Sequence, residues 1–134
     1  MATLPYTQSQ SNEFIRHYTM AALWSSTYGD NGEHNMDDGE HELAMNTRHS
    51  FGQDCDDFLA LSCEDFRFAA LLAADEIDLK QVGHDFWLTR NHHGSGFWDR
   101  DEKYPPGIAD YLYNISKQFG QVDLYIGDDG FIYQ

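Results

Sequence analysis

Positive charge is the scarcest property of this 134-residue chain. Eight lysine and arginine residues face 23 aspartate and glutamate residues, so the formal net charge at pH 7 is −15. A surface of that sign repels DNA, RNA and anionic membranes. Aromatic side chains do not compensate, because a stacking platform without lysine or arginine does not hold a polyanion. The composition therefore favours a basic protein as partner and argues against direct binding of nucleic acid or membrane.

Cysteine and long apolar runs are also scarce. Cys55 and Cys63 are the two cysteines, and both lie in sequence predicted to be helical, so a disulfide between them is not expected. No apolar run approaches the roughly 20 residues that a transmembrane helix requires, and no signal peptide is evident. We therefore expect a cytoplasmic protein that keeps its cysteines reduced.

Aromatic residues are plentiful, at 15% of the chain, and they argue against a wholly disordered acidic protein. The length suits a single domain over residues 1–134, in which residues 1–10 are expected to be flexible. Hydrophobic spacing predicts a first helix over 11–27, capped at Ser11 or Asn12. Further helices are predicted over about 41–62, 64–77 and 105–120.

Turn residues and alternating apolar residues predict the rest of the fold. Residues 28–41, rich in glycine, aspartate and asparagine, are predicted to form an acidic loop. One β-hairpin is predicted over 86–98 around "NHHGSG", and a second over 122–133 around "DDG". The predicted fold class is α+β, with N-terminal helices followed by a small antiparallel sheet of two hairpins on which one helix packs.

The acidic residues are concentrated in one part of the chain. Between Asp30 and Asp78 fourteen acids accompany two bases, Arg48 and Arg67, which gives a formal charge of −12. Helix neighbours three or four residues apart lie about 5–6 Å apart, and B-DNA carries one charge per ~1.7 Å of axis. We therefore hypothesise that these acids form a band of carboxylates spaced like the phosphates of DNA. The alternative is that they form an ordinary solvated surface. The predicted partner-binding acids are Asp37, Asp38, Glu40, Glu42, Asp54, Asp56, Asp57, Glu64 and Asp65.

The stretch "HDFWLTRNHHGSGFWDRD", residues 84–101, is the other candidate site. An acid/base or metal site is one hypothesis, although the spacing matches no known ligand pattern and neither HExxH nor CxxC occurs. Aromatic packing is the second, and a binding patch on exposed Trp87 or Trp98 is the third. The sequence assigns no catalytic residue, metal or cofactor. The conditional site residues are His84, Asp85, Arg90, Asn91, His92, His93 and Asp99.

Three stretches carry a resemblance to a known family. "ALWSST" (22–27), "GHDFWLTRNHHGSGFWDR" (83–100) and "DLYIGDDGFIY" (123–133) resemble a functionally uncharacterised family of small acidic proteins encoded by bacteriophages and mobile elements. Ser95 and Ile126 stand where alanine and valine are common in that family, and the acidic middle differs freely. The resemblance implies an origin in a phage, and hence the host cytoplasm, but no reaction.

Charge and resemblance together predict a phage-encoded inhibitor that imitates DNA. Such a protein would occupy the basic cleft of a restriction enzyme, a CRISPR effector or another host DNA-binding protein. Two alternatives stay open. One is an enzyme or metal-dependent protein centred on the conditional residues above, and the other is an adaptor that binds a host protein through an exposed tryptophan.

Overall fold

The computed structural model describes residues 6–92, 96–97 and 103–134, and within them the fold is α+β and mostly helical. The helices are α1 (Gln8–Ser25), α2 (Met45–Ser62), α3 (Phe66–Ala73), α4 (Leu79–Arg90) and α5 (Ile108–Ser116). Two antiparallel pairs of short strands accompany them, β1 (Thr27–Tyr28) with β2 (His34–Asn35) and β3 (Tyr125–Ile126) with β4 (Ile132–Tyr133). Single turns of 3₁₀ helix cover Met36–Asp38 and Lys117–Phe119.

Helix α1 begins one turn earlier than the sequence pattern predicts. The Thr7 hydroxyl accepts a hydrogen bond from the Gln10 amide at 3.0 Å, and the Gln10 side chain accepts one from the Thr7 amide at 2.8 Å. This reciprocal pair is a capping box, with glutamine in the third helical position. The predicted caps, Ser11 and Asn12, are therefore wrong, and residues 8–10 belong to the helix instead of a flexible terminus.

An aromatic stack forms the centre of the core, between α1, α2 and α4. The Phe58 ring lies 4.1 Å from the Phe86 ring and 5.6 Å from the Phe14 ring, centroid to centroid. All three side chains are fully buried, and Phe97 adds a further ring on the same stack. Helix α1 makes its most extensive contacts with α4. These two helices and α2 form the framework against which α5 and the first 3₁₀ turn pack.

The predicted hairpin over 86–98 is wrong where the structure describes it, because residues 79–90 form helix α4. Asp78 caps this helix by accepting hydrogen bonds from the amides of Lys80 and Gln81. Residues 85–90 are all buried, including polar Asp85, Thr89 and Arg90, so the hydrophobic pattern does not separate a buried face from an exposed one there. Its aromatic and β-branched residues therefore match the composition of a strand. Residues 93–95 and 98–102 lie outside the described residues.

The hairpin predicted over 122–133 is confirmed. Tyr125 pairs with Tyr133 and Ile126 pairs with Ile132, and Gly130 supplies the positive φ of 86° that the turn needs. The other hairpin lies within residues 27–35, so the stretch predicted as an acidic loop is ordered by β1, β2 and the first 3₁₀ turn. Among the described residues, no helix is both long and apolar enough to cross a bilayer.

Candidate functional site

Three of the nine predicted partner-binding acids form either an ion pair with an arginine or a hydrogen bond that lowers the pKa of the carboxyl. The Asp54 carboxylate lies 2.7 Å from a guanidinium nitrogen of Arg90. Asp65 caps α3, and its hydrogen bond from the Arg67 side chain lowers the pKa of the Asp65 carboxyl. Asp38 accepts a hydrogen bond from the Tyr28 hydroxyl. That bond lowers the pKa of Asp38 and raises the pKa of Tyr28 to about 12. A partner would meet these three carboxylates already engaged.

The other six predicted acids are exposed and form no ion pair with a lysine or arginine in the described part of the chain. They fall into two groups. The loop acids lie between β2 and α2 and are Asp37, Glu40 and Glu42. The helix acids lie on or just after α2 and are Asp56, Asp57 and Glu64. Hydrogen bonds from Ser11 to Asp56 and from Gln53 to Asp57, at 2.9 and 3.0 Å, orient two of the helix acids without neutralising them.

Of the conditional residues, the structure joins His84 and Asp85. Asp85 is fully buried, and its two carboxylate oxygens accept hydrogen bonds from Gln81 at 2.9 Å and from the Tyr104 hydroxyl at 2.7 Å. The Nδ1 atom of His84 lies 3.4 Å from the same carboxylate. This is the pairing in which a buried carboxylate orients an imidazole.

The remaining conditional residues lie elsewhere or outside the described residues. Arg90 and Asn91 bind the chain after α5: Arg90 donates to the carbonyls of Phe119 and Gly120, and Asn91 accepts from the Val122 amide. His92 is exposed beyond the end of α4. The predictions for His93 and Asp99 fall outside the described residues. No cluster of three or more His, Cys, Asp or Glu side chains suited to a metal ion occurs in 6–92, 96–97 and 103–134.

The exposed tryptophan of the described chain is not one of the two that the sequence indicated. Trp87 is buried, and its indole nitrogen donates a hydrogen bond to the Ser25 hydroxyl at 2.7 Å, so the prediction of an exposed Trp87 is wrong. Trp98 lies outside the described residues. Trp24, in the last turn of α1, is 57% exposed instead.

Trp24 lines a groove of about 420 Å³, which we call the Trp24 groove. One wall is α1, the second is the segment that follows β2, and His84 of α4 closes one side. The Trp24 and His84 rings lie 5.9 Å apart with a tilt of 35°. The lining is mostly apolar, with one carboxylate. The residues that line the Trp24 groove are His17, Met20, Ala21, Leu23, Trp24, Met36, Asp37, Gly39, His41 and His84.

Tertiary contacts hold the second wall of this groove in place. Met36 is almost fully buried, and its amide donates to the Ser26 carbonyl at 3.0 Å, which fixes the 3₁₀ turn against the end of α1. His41 Nδ1 lies 2.7 Å from the Gly130 carbonyl, and the Tyr28 ring stands edge-on to the His41 ring at 5.0 Å. The C-terminal hairpin therefore helps to shape a groove that lies mainly on α1.

The sequence does contain a signal for this groove that the hydrophobic pattern conceals. His17, Met20 and Trp24 are spaced i, i+3 and i+7, so they share one face of α1. That face differs from the buried face, which includes Phe14 and Tyr18. A second, largely apolar face on a helix whose first face already fills the core indicates a surface available for binding.

Comparisons with protein-family models, with curated proteins and with solved structures find no match for this chain. The charges and contacts described above are therefore the basis on which its function is inferred.

Proposed function

We propose that this protein is a phage-encoded acidic inhibitor that occupies the basic DNA-binding cleft of a host defence protein of the restriction or CRISPR type. The observation that carries the proposal is the set of six exposed carboxylates without a cationic partner in the described residues, in a chain whose net charge is −15. That excess exceeds what solubility requires in a domain of this size. Its natural complement is a cleft lined with lysine and arginine.

The dimensions of α2 suit this role. Its 18 residues span about 27 Å, which corresponds to about eight base pairs of B-DNA. Asp56 and Asp57 project away from the buried face of α2, and Glu64 follows its end. The loop acids add a second group of charges. Charges arranged in this way accelerate association with a basic surface, and their effect weakens as salt screens them.

A rigid scaffold supports the exposed acids. The inner face of α2 is anchored in the core by Phe51, Phe58 and Leu59, while the Asp38–Tyr28 hydrogen bond orders the loop acids. Groups that are already held in place lose less conformational entropy when a partner binds. This supports a mimic with fixed charges and argues against a flexible acidic tail.

The two alternative functions stay open in narrower form. An acid/base role now depends on His84 and Asp85, since Arg90 and Asn91 are engaged in holding the chain after α5. An adaptor that binds through an exposed tryptophan now depends on Trp24 instead of Trp87. Neither alternative uses the loop acids and helix acids together. Neutralising acids of both groups should therefore weaken a DNA mimic but not an enzyme or an adaptor that binds through tryptophan.

The test neutralises four exposed acids that have no cationic partner in the described fold. The variant Glu40→Gln, Glu42→Gln, Asp57→Asn and Glu64→Gln should keep its fold and bind a DNA-cleaving target at least about fourfold more weakly, because each exposed ion pair contributes about 0.2–1 kcal/mol. The measurement is competition with a labelled DNA duplex for a panel of purified restriction and CRISPR-type nucleases, at low and at moderate salt.

A matched control changes the same amount of charge elsewhere. The variant Asp75→Asn, Glu76→Gln, Asp123→Asn and Asp128→Asn alters four exposed acids outside both groups, and it should compete nearly as well as the native protein. Equal loss in both variants would mean that net charge alone matters. Undiminished competition by the first variant, or competition that does not change with salt, would contradict DNA mimicry.

A further inference from the structure

We propose that the Trp24 groove receives an arginine side chain from the basic partner protein. The inference rests in part on the proposed function, because it identifies a specific contact within a complex that the exposed acids would otherwise hold by general electrostatic attraction. It also makes a separate statement, that this surface distinguishes arginine from lysine.

The groove has the composition of a binding pocket and not of an ordinary surface depression. Trp24 and Met20 are 57% and 51% exposed, and both lie on the groove wall that α1 provides. Large apolar side chains exposed side by side mark interaction sites, and tryptophan is among the residues most enriched at the energetic centres of interfaces. Trp24 is therefore the residue around which we expect a partner group to pack.

The charge of the groove selects a cationic group. Asp37 is exposed in the lining and has no ion pair in the described part of the chain, while no lysine or arginine is among the described residues that line the groove. Glu40 and Glu42 follow Asp37 on the same segment and extend the negative potential past the groove. A basic protein that is attracted to the loop acids would thus bring its cations to this opening.

The presence of an aromatic ring and a carboxylate in the same groove favours arginine over lysine. A guanidinium is planar and weakly hydrated, so it stacks on an aromatic ring while its N–H groups bind a carboxylate in a forked geometry. Trp24 offers the ring and Asp37 the carboxylate. Met20 and the half-buried Leu23 offer apolar surface for the aliphatic stem, which long cationic side chains bury readily. A lysine ammonium is a strongly hydrated point charge and uses this geometry less well.

The probes are two peptides of equal charge, hexa-arginine and hexa-lysine, titrated into the full chain at about pH 8, above the ordinary range of imidazole titration. We expect hexa-arginine to bind about three- to tenfold more tightly, which is the factor that a cation–π contact provides. The indole N–H signal of Trp24 in an ¹H–¹⁵N spectrum, assigned from the Trp24→Phe variant, should shift with hexa-arginine and much less with hexa-lysine.

Variants identify the groove as the source of that preference. Trp24→Leu and Asp37→Asn should each reduce the arginine preference, and Trp24→Leu should leave the salt dependence of hexa-lysine binding unchanged. Phe66→Leu is the matched control, because Phe66 is 81% exposed on α3 and does not line the groove. That variant should keep the full preference, and since both side chains are exposed, neither substitution should unfold the protein.

The remaining outcomes separate this inference from the proposed function. Equal binding of the two peptides, or a preference that survives in Trp24→Leu, would overturn the arginine site while leaving electrostatic mimicry intact. A dimer of the chain alone that is lost in Trp24→Leu would also overturn it, because a second copy would then cover the groove. Failure of both peptides to bind would overturn it too, and the nuclease competition with the four-acid variant would still decide the proposed function independently.

Discussion

The role of Arg90 in the fold differs from the role that its sequence context suggests. In the motif "TRN" it resembles a catalytic or binding arginine, yet it is only 3% exposed. Its guanidinium donates to the carbonyls of Phe119 and Gly120, to the Tyr18 hydroxyl and to Asp54, each at 2.7–2.9 Å. These bonds join α4 to α1, to α2 and to the chain after α5, so Arg90 is a structural tie.

Replacement of Arg90 by methionine should destabilise the protein by about 3–5 kcal/mol. Asp54 would lose its cation, and two backbone carbonyls and a buried hydroxyl would lose their donor. Arg90→Lys should be only partly restorative, because an ammonium cannot reproduce the forked geometry. The free energy of unfolding from urea titration measures both effects, and a loss below about 1 kcal/mol in Arg90→Met would contradict this role.

The distance between two helices also depends on residues that are far apart in the sequence. Helices α1 and α4 approach closely because position 83 is glycine: a Cβ atom there would lie 2.7 Å from the Phe14 carbonyl oxygen and 3.0 Å from the Tyr18 amide nitrogen. Gly52, in α2, has open space around the same position. Both glycines lie inside helices, and their tertiary neighbours distinguish them.

Alanine at these two glycines should therefore have opposite effects. Gly83→Ala should destabilise the protein by about 1–3 kcal/mol, because α1 and α4 must separate to admit a methyl group. Gly52→Ala should stabilise it by about 0.5–1 kcal/mol through its higher helix propensity. Thermal and urea unfolding of the two variants measure the contrast, and a stabilising shift in Gly83→Ala would refute the proposed close approach.

Across the entire chain, uneven charge is the dominant feature. The fourteen acids between Asp30 and Asp78 lie on α2, on the flanks of α3, and on the segments that precede and follow them, with Arg48 and Arg67 as their basic neighbours in sequence. Two of those acids form ion pairs with arginine, Asp54 with Arg90 and Asp65 with Arg67, and others accept hydrogen bonds, such as Asp38 from Tyr28 and Asp78 from the α4 amides. Repulsion among the exposed carboxylates opposes the compact state.

Salt should accordingly stabilise the isolated protein. Raising sodium chloride from about 20 mM to about 0.3 M shortens the screening length and reduces repulsion between neighbouring carboxylates. Each close like-charge pair costs a few tenths of a kcal/mol, so the summed gain in the free energy of unfolding should reach about 1 kcal/mol. Urea, which is uncharged, is the appropriate denaturant, and the four-acid variant should respond less. A midpoint that falls with salt would contradict net self-repulsion.

Local signals in the sequence are sufficient for part of this fold. Helices α1, α2 and α5 bury one face and show it as a helical period, and the Gly130 turn specifies the hairpin of β3 and β4. Counting alone also shows that the negative charge is concentrated between Asp30 and Asp78. The same rules failed for α4, because its C-terminal half buries polar Asp85, Thr89 and Arg90 along with its apolar residues and so shows no polar face.

Long-range packing, in contrast, settles which side chains are available to a partner. It buries Trp87 and exposes Trp24, and it engages Asp54 with Arg90. The physical reason is that exposure and pairing depend on residues distant in sequence: 62 positions separate Trp87 from Ser25, the hydroxyl that accepts its indole N–H, and 36 separate Arg90 from Asp54. No local pattern of residues contains that information.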